Sequence, residues 1–325
     1  MLKILLVSDT HGDLDSINRL IESTGASLVI HAGDFGFYDS ESIQRMSTRE
    51  LKLRIVHSPF RNQLKDQMTR DDYVYLVETN KLLGDFTDYL SGSKEFQAPV
   101  FAVWGNHDDR VVVESLRKDK KVKNLSILDE LGPFTLEDEG GGSIQLYGIG
   151  GNFLLNEKVL ASTLQGEGGK MQSTFHQYGR LYKNIDKGRH PTIFVSHVSP
   201  EKEHLLAHLI GHFSPDIWIS GHMGVPSPKV WEDLGPQKKE VERSLSHLAE
   251  MKGKQTLSAD TSCALKLLKA PPKLDRATKN VNLPDIGDGY ALLLYEDNQF
   301  ALETYGNPSG MGYLPYETFE WGELV

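Results

Sequence analysis

Five motifs of this 325-residue chain carry side chains that bind metal ions in proteins. In chain order they are Ser8-Asp9-Thr10-His11, His31-Ala32-Gly33-Asp34, Gly105-Asn106-His107-Asp108, Ser196-His197 and Gly221-His222. Carboxylate, amide and imidazole donors without a thiolate suit Mn, Fe or Zn. Because residues i and i+2 of a strand point to the same side, Asp9 and His11 are expected to chelate one ion. Asp34 is the expected bridge to a second ion, about 3.5–4 Å away.

The motifs follow short apolar segments of β-strand composition, with helical stretches between them. The strand-like segments are Ile4–Ser8, Leu28–His31, Val100–Trp104, Ile144–Gly148, Thr192–Ser196 and Ile217–Ser220. The nearly continuous apolar runs are typical of strands buried on both faces, and Leu14–Glu22 predicts the helix of an opening βαβ unit. Ligand sites of open α/β sheets lie beyond the carboxyl ends of the strands, so we expect the five motifs to converge.

Taken singly, each motif has an ordinary structural explanation. Asp-x-His is found at surfaces and caps, and Gly33-Asp34 is common turn chemistry. Gly105-Asn106-His107-Asp108 is compatible with a hairpin or a cap, and a lone His197 is more often a buried or capping histidine. Their order, each at the end of a strand, favours a shared metal site over coincidence.

Together these motifs resemble the calcineurin-like metallophosphoesterase superfamily. The resemblance extends from residue 9 to about residue 224, some two-thirds of the chain. It implies an α/β fold, a four-layer αββα sandwich of two mixed β-sheets flanked by helices. It also implies hydrolysis of a phosphate ester by a hydroxide held at a dinuclear centre of two divalent metal ions, with Mn expected and Fe or Zn as alternatives.

The resemblance also assigns roles to residues of this chain. The two ions would be held by two sets that share one carboxylate, namely Asp9, His11 and Asp34 for the first, and Asp34, Asn106, His197 and His222 for the second. His107 would protonate the leaving group or stabilise the charge of the transferring phosphoryl group. Asp108 would orient His107 by hydrogen bonding, and a helix N-cap is the alternative explanation for Asp108.

The last motif departs from the family pattern. Members usually have Gly-His-x-His, in which the second histidine completes the first metal site, whereas here the sequence is Gly221-His222-Met223-Gly224. The first site would then be weaker, or completed by water or by another histidine. His204, His208 and His212 share one face of a predicted helix, although an amphipathic surface explains their spacing better.

Two features bear on the class of substrate. The chain lacks the Gly-Asp-x-x-Asp-Arg-Gly and Gly-Asn-His-Glu forms of the protein Ser/Thr phosphatases, and with them the arginine that would clamp phosphate there. Phe35, Phe37 and Tyr38 are compatible either with an aromatic wall for the substrate or with core packing. We expect the substrate to be a phosphodiester or nucleotide-type small molecule and not a protein.

Two alternative functions are compatible with the same motifs. A nuclease of the same superfamily would need a basic groove, and a net charge of −10 does not favour nucleic acid as a partner, although Lys266–Lys279 is basic. A metal-binding or scaffold protein that has lost turnover is the second alternative, motivated by Gly224. The presence of His107 and of all the second-site ligands argues against it.

The composition, with 39% hydrophobic and 25% charged residues, is that of a soluble globular protein. No run of about 18 apolar residues predicts a membrane span, and Leu2–Val7 is too short for a secretion signal, so a cytoplasmic location is expected. Cys263 cannot form an internal disulfide. We expect residues 1–325 to form one metallophosphoesterase domain, with helical insertions at about 36–97 and 225–255.

Overall fold

The computed structural model describes residues 1–119, 122–137, 140–166, 170–185, 190–222, 224–225, 227–231, 238–252, 256–270 and 278–324. The first strand, β1 (Leu2–Val7), illustrates how the sequence forms the sheets. Leu5 and Val7 pack into one apolar cluster, Ile4 and Leu6 pack into another, and all four are fully buried. A strand that is apolar on both faces lies between two layers of structure.

The strands, in chain order, are β1 (Leu2–Val7), β2 (Leu28–Ala32), β3 (Val100–Val103), β4 (Leu125–Ile127), β5 (Phe134–Glu137), β6 (Ser143–Ile149), β7 (Thr192–Val198), β8 (Ile217–Gly221), β9 (Lys229–Trp231), β10 (Lys279–Asn282), β11 (Gly289–Glu296), β12 (Gln299–Gly306) and β13 (Leu314–Glu323). The helices are α1 (Asp15–Thr24), α2 (Ser42–Arg45), α3 (Thr48–Val56), α4 (Arg70–Thr79), α5 (Phe86–Ser91), α6 (Arg110–Asp119), α7 (Phe175–Asn184), α8 (His204–Gly211), α9 (Lys238–Lys252) and α10 (Ala259–Leu267). Short 3-10 helices occupy Arg61–Gln63 and Glu157–Leu160.

Both sheets are mixed. The first has the order β13-β12-β11-β1-β2-β3-β4, in which β1 to β4 are parallel and β11 to β13 are antiparallel to their neighbours. The second has the order β5-β6-β7-β8-β10-β9, in which β6, β7, β8 and β10 are parallel and β5 and β9 are antiparallel edges. Parallel strands therefore occupy the middle of each sheet and direct their carboxyl ends to one side.

Three apolar clusters define four layers. The central cluster joins the inner faces of the two sheets, for example Leu6 of β1 and Val195 of β7. Helices α1 and α6 pack on the outer face of the first sheet, with Ile17 and Val113 buried there. Helices α7 to α10 pack on the outer face of the second sheet, where Leu209 is buried. The αββα sandwich expected from the sequence is confirmed.

The segment 36–97, between β2 and β3, contains the helices α2 to α5. It has an apolar cluster of its own that is separate from those of the sandwich, and Leu51, Ile55 and Val77 are buried in it. The segment 225–255 contains the helix α9 and also the short strand β9, which the sequence did not indicate. Residues 226, 232–237 and 253–255 lie outside the described part of the chain. In the described residues, no helix is long and apolar enough to cross a membrane.

Candidate metal centre

The predicted ligands meet where the parallel strands of both sheets end. Asp9, Asp34 and Asn106 come two to three residues after β1, β2 and β3 of the first sheet. In the second sheet, His197 lies near the end of β7, and His222 directly follows β8. Adjacent parallel strands end side by side, which is why residues so far apart in sequence are close in space.

The first group of ligand atoms comes from Asp9, His11 and Asp34, which lie within 4.8 Å of one another. The ring of His11 lies between the two carboxylates, with Nε2 3.9 Å from Oδ1 of Asp9 and Nδ1 4.0 Å from Oδ2 of Asp34. The second oxygen of Asp9 accepts hydrogen bonds from Oγ of Ser8 at 2.5 Å and from the backbone N–H of His222 at 3.2 Å. Oδ1 of Asp9 is therefore the oxygen that faces the group.

The second group comes from Asp34, His197 and His222, again within 4.8 Å. Oδ2 of Asp34 is 3.6 Å from Nε2 of His197, and the rings of His197 and His222 have their centroids 4.6 Å apart. Oδ1 of Asn106 lies 3.0 Å from the same Nε2. Oδ2 of Asp34 thus faces both groups, as a bridging carboxylate must.

The hydrogen bond of His197 shows that this donor set fits a cation. Nδ1 lies 3.0 Å from the carbonyl oxygen of Ala32, which only accepts, so Nδ1 carries the proton. In the neutral ring, Nε2 then presents a lone pair to the oxygens of Asn106 and Asp34. An imidazole anchored through its other nitrogen to a carbonyl is the usual arrangement of a metal-binding histidine. Acceptor atoms directed at one another fit a divalent ion between them.

Burial sets the protonation of the histidines. It lowers the pKa of His11 and of His222 to about 3, so both rings are neutral at pH 7 and have a nitrogen free for coordination.

The two carboxylates are shifted in opposite directions. Burial alone would raise the pKa of Asp34, but His197, His107 and His11 hold it below the ordinary value. The pKa of Asp9 is raised to about 7, mainly by burial. A cation at the site would favour the ionised form of this carboxyl.

Four of these residues have a left-handed backbone conformation, which few residues other than glycine adopt. The angle φ is 52° at Asp9, 48° at His11, 51° at Asp34 and 66° at His222. The left-handed conformation costs a residue other than glycine roughly 1–2 kcal/mol. Such strain is retained mainly where the surrounding structure holds it for a function. The strained turns direct the side chains toward the two groups.

Two glycines permit the close approach of the ligands. A Cβ at Gly33, where φ is +96°, would lie 2.5 Å from Nδ1 of His197. A Cβ at Gly105 would lie 1.8 Å from Oδ1 of Asp34. Both distances are shorter than any real contact, so a side chain at either position would displace a ligand. The glycines of the motifs are therefore a steric requirement of the site.

His107 lies beside both groups and is held at three points. Its backbone N–H donates to Oδ1 of Asp34 at 2.9 Å, its carbonyl accepts from the hydroxyl of Tyr38 at 2.7 Å, and Nδ1 is 2.7 Å from Oε1 of Glu50. Burial alone would lower the pKa of His107, but Glu50 and the charge of Asp34 raise it above the ordinary value. The ring centroids of His107 and His11 are 5.9 Å apart. A proton donor is thus available next to the ligand atoms.

Comparison with known proteins identifies the family. The calcineurin-like phosphoesterase family matches residues 2–226 of the chain. The chain belongs to this family. No curated protein matches the sequence significantly.

Two solved structures resemble this chain at low sequence identity. One is Vps29 of Entamoeba histolytica complexed with Zn²⁺, which is 12% identical with a TM-score of 0.34, and the match covers 98% of this chain and 99% of that chain. The other is a hypothetical protein from Thermus thermophilus, which is 14% identical with a TM-score of 0.35, and the match covers 99% and 100% of the two chains.

The structure has open space at position 224, where the family pattern has a second histidine. Gly224 is exposed at the cavity, its φ is +54°, and a Cβ built on it would meet no atom within 4 Å. The neighbouring Met223 lies outside the described residues. His208 lies on α8 and His212 directly follows it, and their Nε2 atoms lie 3.0 and 3.1 Å from the carbonyl oxygen of Ala270. In the described residues, His204, His208 and His212 belong to neither ligand group.

A cavity of about 1230 Å³ opens over the two ligand groups. It is lined by Asp9, His11 and Asp34 and by residues of the helices of segment 36–97, including Leu53 of α3 and Val77 of α4. Acidic, basic and apolar side chains all line it. The insertion thus forms part of the wall of the cavity over the ligand groups.

Asp108 has contacts other than those expected from the sequence. Its carboxylate accepts backbone N–H groups of Gly105 at 2.7 Å, Gly36 at 2.8 Å, Phe37 at 2.9 Å and Phe35 at 3.3 Å. It therefore ties the loop after β3 to the loop after β2, and the ring of His107 is bonded to Glu50 instead. The cap of α6 is Asp109, whose Oδ1 accepts from the N–H of Val111 at 2.9 Å.

Phe35 and Phe37 are core residues. Both are fully buried and stack with their ring centroids 4.4 Å apart in the cluster beneath α1, so they do not form a substrate wall. Tyr38 is nearly buried, but it lines the cavity. Glu50 and Arg54, which also line the cavity, are the site residues that sequence reasoning missed. They lie on α3 with no motif around them, so no signal in one sequence could have found them.

Proposed function

We propose that the protein is a metal-dependent phosphoesterase that hydrolyses a phosphodiester or nucleotide-type small molecule. The main support for this proposal is the position of the Asp34 carboxylate. Its Oδ2 lies 4.0 Å from Nδ1 of His11 and 3.6 Å from Nε2 of His197. One carboxylate facing two groups of nitrogen and oxygen donors is the arrangement of a two-metal hydrolytic site. Membership of the calcineurin-like phosphoesterase family supports the same conclusion.

We assign the first ion to Asp9, His11 and Asp34 and the second to Asp34, Asn106, His197 and His222. The donor set favours Mn, with Fe or Zn as the alternatives. When bound, two such ions would make water nucleophilic at neutral pH and would offset the charge of the transferring phosphoryl group.

We assign the leaving-group proton to Nε2 of His107. Water adds to phosphorus and gives up one proton to solvent, the bond from phosphorus to the leaving oxygen breaks with its electron pair on that oxygen, and the oxygen takes the proton of Nε2. A proton from solvent then restores Nε2 for the next turnover. The hydrogen bond from the backbone of His107 to Asp34 supports this role, because it fixes the residue beside the bridging carboxylate. His107 also lines the cavity that would hold the ester.

The cavity supports a small substrate. The helices of segment 36–97 close one side of a space of about 1230 Å³, which suits a small molecule better than the surface of a folded protein. A net charge of −10 and the acidic residues of the cavity, such as Asp13, Asp39 and Asp88, disfavour a nucleic acid. In the basic stretch 266–279, residues 271–277 lie outside the described part of the chain.

Hydrolysis of a bis-aryl phosphate diester and of its monoester tests the proposal. The protein is stripped of metal with a chelator and assayed with and without added Mn²⁺. We expect metal-dependent cleavage of the diester, reduced by more than about tenfold in His222→Ala. His247→Ala is the matched control, because His247 is half exposed on α9.

A metal-binding protein without turnover is the second candidate, favoured by the absence of an imidazole at Gly224. Tight retention of Mn²⁺ with no cleavage of either ester would support this candidate and contradict the proposal. Cleavage that persists without metal, or that survives in His222→Ala, would contradict the assignment of the site.

A further inference from the structure

Glu50 is a buried acid of the helical insertion that faces the metal centre. Its side chain is 3% exposed, although it belongs to α3 and lies 57 residues before His107 in the chain. A carboxylate in such a position needs charged or hydrogen-bonding partners, because burial of an unpaired charge is costly. The partners of Glu50 therefore indicate what it does.

Two groups pair with Glu50. Its Oε1 lies 2.7 Å from Nδ1 of His107 and 3.4 Å from Nε of Arg54. A carboxylate only accepts hydrogen bonds, so Nδ1 of His107 carries a proton that it donates to Glu50. The other ring nitrogen, Nε2, is then the atom of His107 that can act on a molecule in the cavity.

The insertion holds Glu50 firmly in this position. Arg54, one turn further along α3, is bonded to the hydroxyl of Tyr38, and that hydroxyl donates to the carbonyl oxygen of His107 at 2.7 Å. The contacts thus form a closed loop, which runs from the ring of His107 through Glu50, Arg54 and Tyr38 to the carbonyl oxygen of His107. Leu51 and Ile55 anchor the same helix in the apolar cluster of the insertion. The orientation of His107 thus depends on α3.

We propose that Glu50 is a positioning residue, which holds the Nδ1–H of His107 so that Nε2 faces the cavity and delivers the proton to the leaving oxygen. The helical insertion would thereby form part of the active site and not only a wall of the cavity. This inference rests on the proposed function, because it deepens the role assigned to His107. The competing explanation is that Glu50 serves only as the counter-ion of Arg54.

The choice of leaving group separates the two explanations. A nitrophenolate leaving group departs without a proton, whereas an alkoxide needs one. Loss of the proton donor therefore slows cleavage of an ester with an alkyl leaving group much more than cleavage of an aryl ester. We expect Glu50→Gln to lower kcat for an alkyl-leaving diester by about 10²-fold and kcat for the aryl diester by less than about threefold, with KM unchanged. Glu50→Gln preserves the shape of the side chain, so it is the variant most certain to fold.

The double variant shows whether Glu50 acts through His107. We expect Glu50→Gln combined with His107→Ala to be no slower than His107→Ala alone. Glu41→Gln is the matched control, because Glu41 belongs to the same insertion and is 81% exposed. Equal losses for the two esters, or losses that multiply in the double variant, would overturn the inference in favour of a counter-ion.

A spectroscopic readout keeps this inference separate from the proposed function. In the Zn²⁺-loaded protein at alkaline pH, the ¹⁵N resonances of His107 report which ring nitrogen carries the proton. We expect Nδ1–H in the wild type and a shift toward Nε2–H in Glu50→Ala. Absence of ester cleavage by the wild type would contradict the proposed function only, whereas an unchanged tautomer in Glu50→Ala would overturn the inference about Glu50.

Discussion

Oδ1 of Asn106 and Nε2 of His197 lie 3.0 Å apart, and in the neutral imidazole both are hydrogen-bond acceptors. The acceptor character of Nε2 follows from the carbonyl oxygen of Ala32, which takes the proton on Nδ1. Two acceptors at this distance repel each other unless a cation or a proton lies between them. Ligand atoms bound to one ion at about 2.0–2.2 Å are separated by a similar distance.

Replacement of Asn106 by alanine should therefore weaken metal binding. We expect the affinity for Mn²⁺ at the second site to fall by more than about tenfold, measured by calorimetric titration of the chelator-treated protein. The stabilisation by saturating metal, about 2.7 kcal/mol at a concentration of 100 times Kd, should fall accordingly. Gln44→Ala removes an exposed amide and is the control. Equal affinities of Asn106→Ala and the wild type would exclude Asn106 as a ligand.

The space at Gly224 allows the histidine of the family pattern to be restored. A Cβ at this position meets no atom within 4 Å, so Gly224→His should fit, although the φ of +54° costs roughly 1–2 kcal/mol. We expect the new imidazole to strengthen the first site, detected as a higher ratio of bound Mn²⁺ to protein after dialysis. Gly224→Ala carries the same backbone strain without the ligand and should bind metal as the wild type does. If the two variants retain equal metal, position 224 does not face the first site.

Gly105 tests the steric requirement beside the bridging carboxylate. A Cβ at this position would overlap Oδ1 of Asp34 at 1.8 Å and its backbone nitrogen at 2.1 Å. Gly105→Ala should displace Asp34 and weaken both metal sites together, measured as the number of Mn²⁺ ions retained. Gly287→Ala is the control, because a Cβ there would meet no atom within 4 Å. Full metal retention in Gly105→Ala would show that Asp34 is not the shared ligand.

The sequence predicted the strands well because strands follow from local rules, and the same rules place the candidate ligands at the strand ends. Apolar segments bounded by glycine and polar residues gave β1, β2 and β3, and parallel strands necessarily bring their ends together. The hairpin of β11 and β12 illustrates a local rule of the same kind. Its turn residues Asp297 and Asn298 have φ of 50° and 63°, the left-handed pair typical of a two-residue turn between antiparallel strands.

The contacts of the insertion could not be predicted, because they depend on how helices pack across the chain. Glu50 has the surroundings of an ordinary helical glutamate in the sequence, and only the docking of α3 brings it to His107. Asp108 was expected to orient His107, yet its four hydrogen bonds go to backbone N–H groups of two loops. Backbone partners leave no signature in the sequence, so side-chain motifs cannot reveal them.

The buried His31 should make the stability of the metal-free protein depend on pH. Nδ1 accepts from the N–H of Gly33 at 3.2 Å, Nε2 is 3.0 Å from Oγ1 of Thr10, and burial lowers the pKa of His31 to about 3. Between the unfolded pKa of about 6.5 and this value, the unfolded chain binds one more proton. The contribution of His31 to the free energy of unfolding is therefore complete above pH 6.5 and falls by about 1.4 kcal/mol per pH unit below it.

Urea unfolding of the wild type and His31→Gln at pH 8, 6 and 5, with chelator present, measures this contribution. The difference in free energy of unfolding between the two proteins should shrink toward low pH, because the variant lacks the titrating group. His247→Gln, on an exposed part of α9, should follow the wild type. Parallel pH profiles for the wild type and His31→Gln would contradict a neutral buried imidazole.

Asp108 should contribute to stability more than any exposed acid. Asp108→Ala leaves the N–H groups of Gly105, Gly36 and Phe37 buried without their acceptor, each at a cost of about 1–3 kcal/mol. We expect the free energy of unfolding in urea to fall by about 3 kcal/mol or more, and Asp108→Asn, which keeps one acceptor oxygen, to lose less. Asp66→Ala is the matched exposed control and should stay within about 0.5 kcal/mol of the wild type. Equal stabilities of Asp108→Ala and Asp66→Ala would mean that the two loops hold together without this carboxylate.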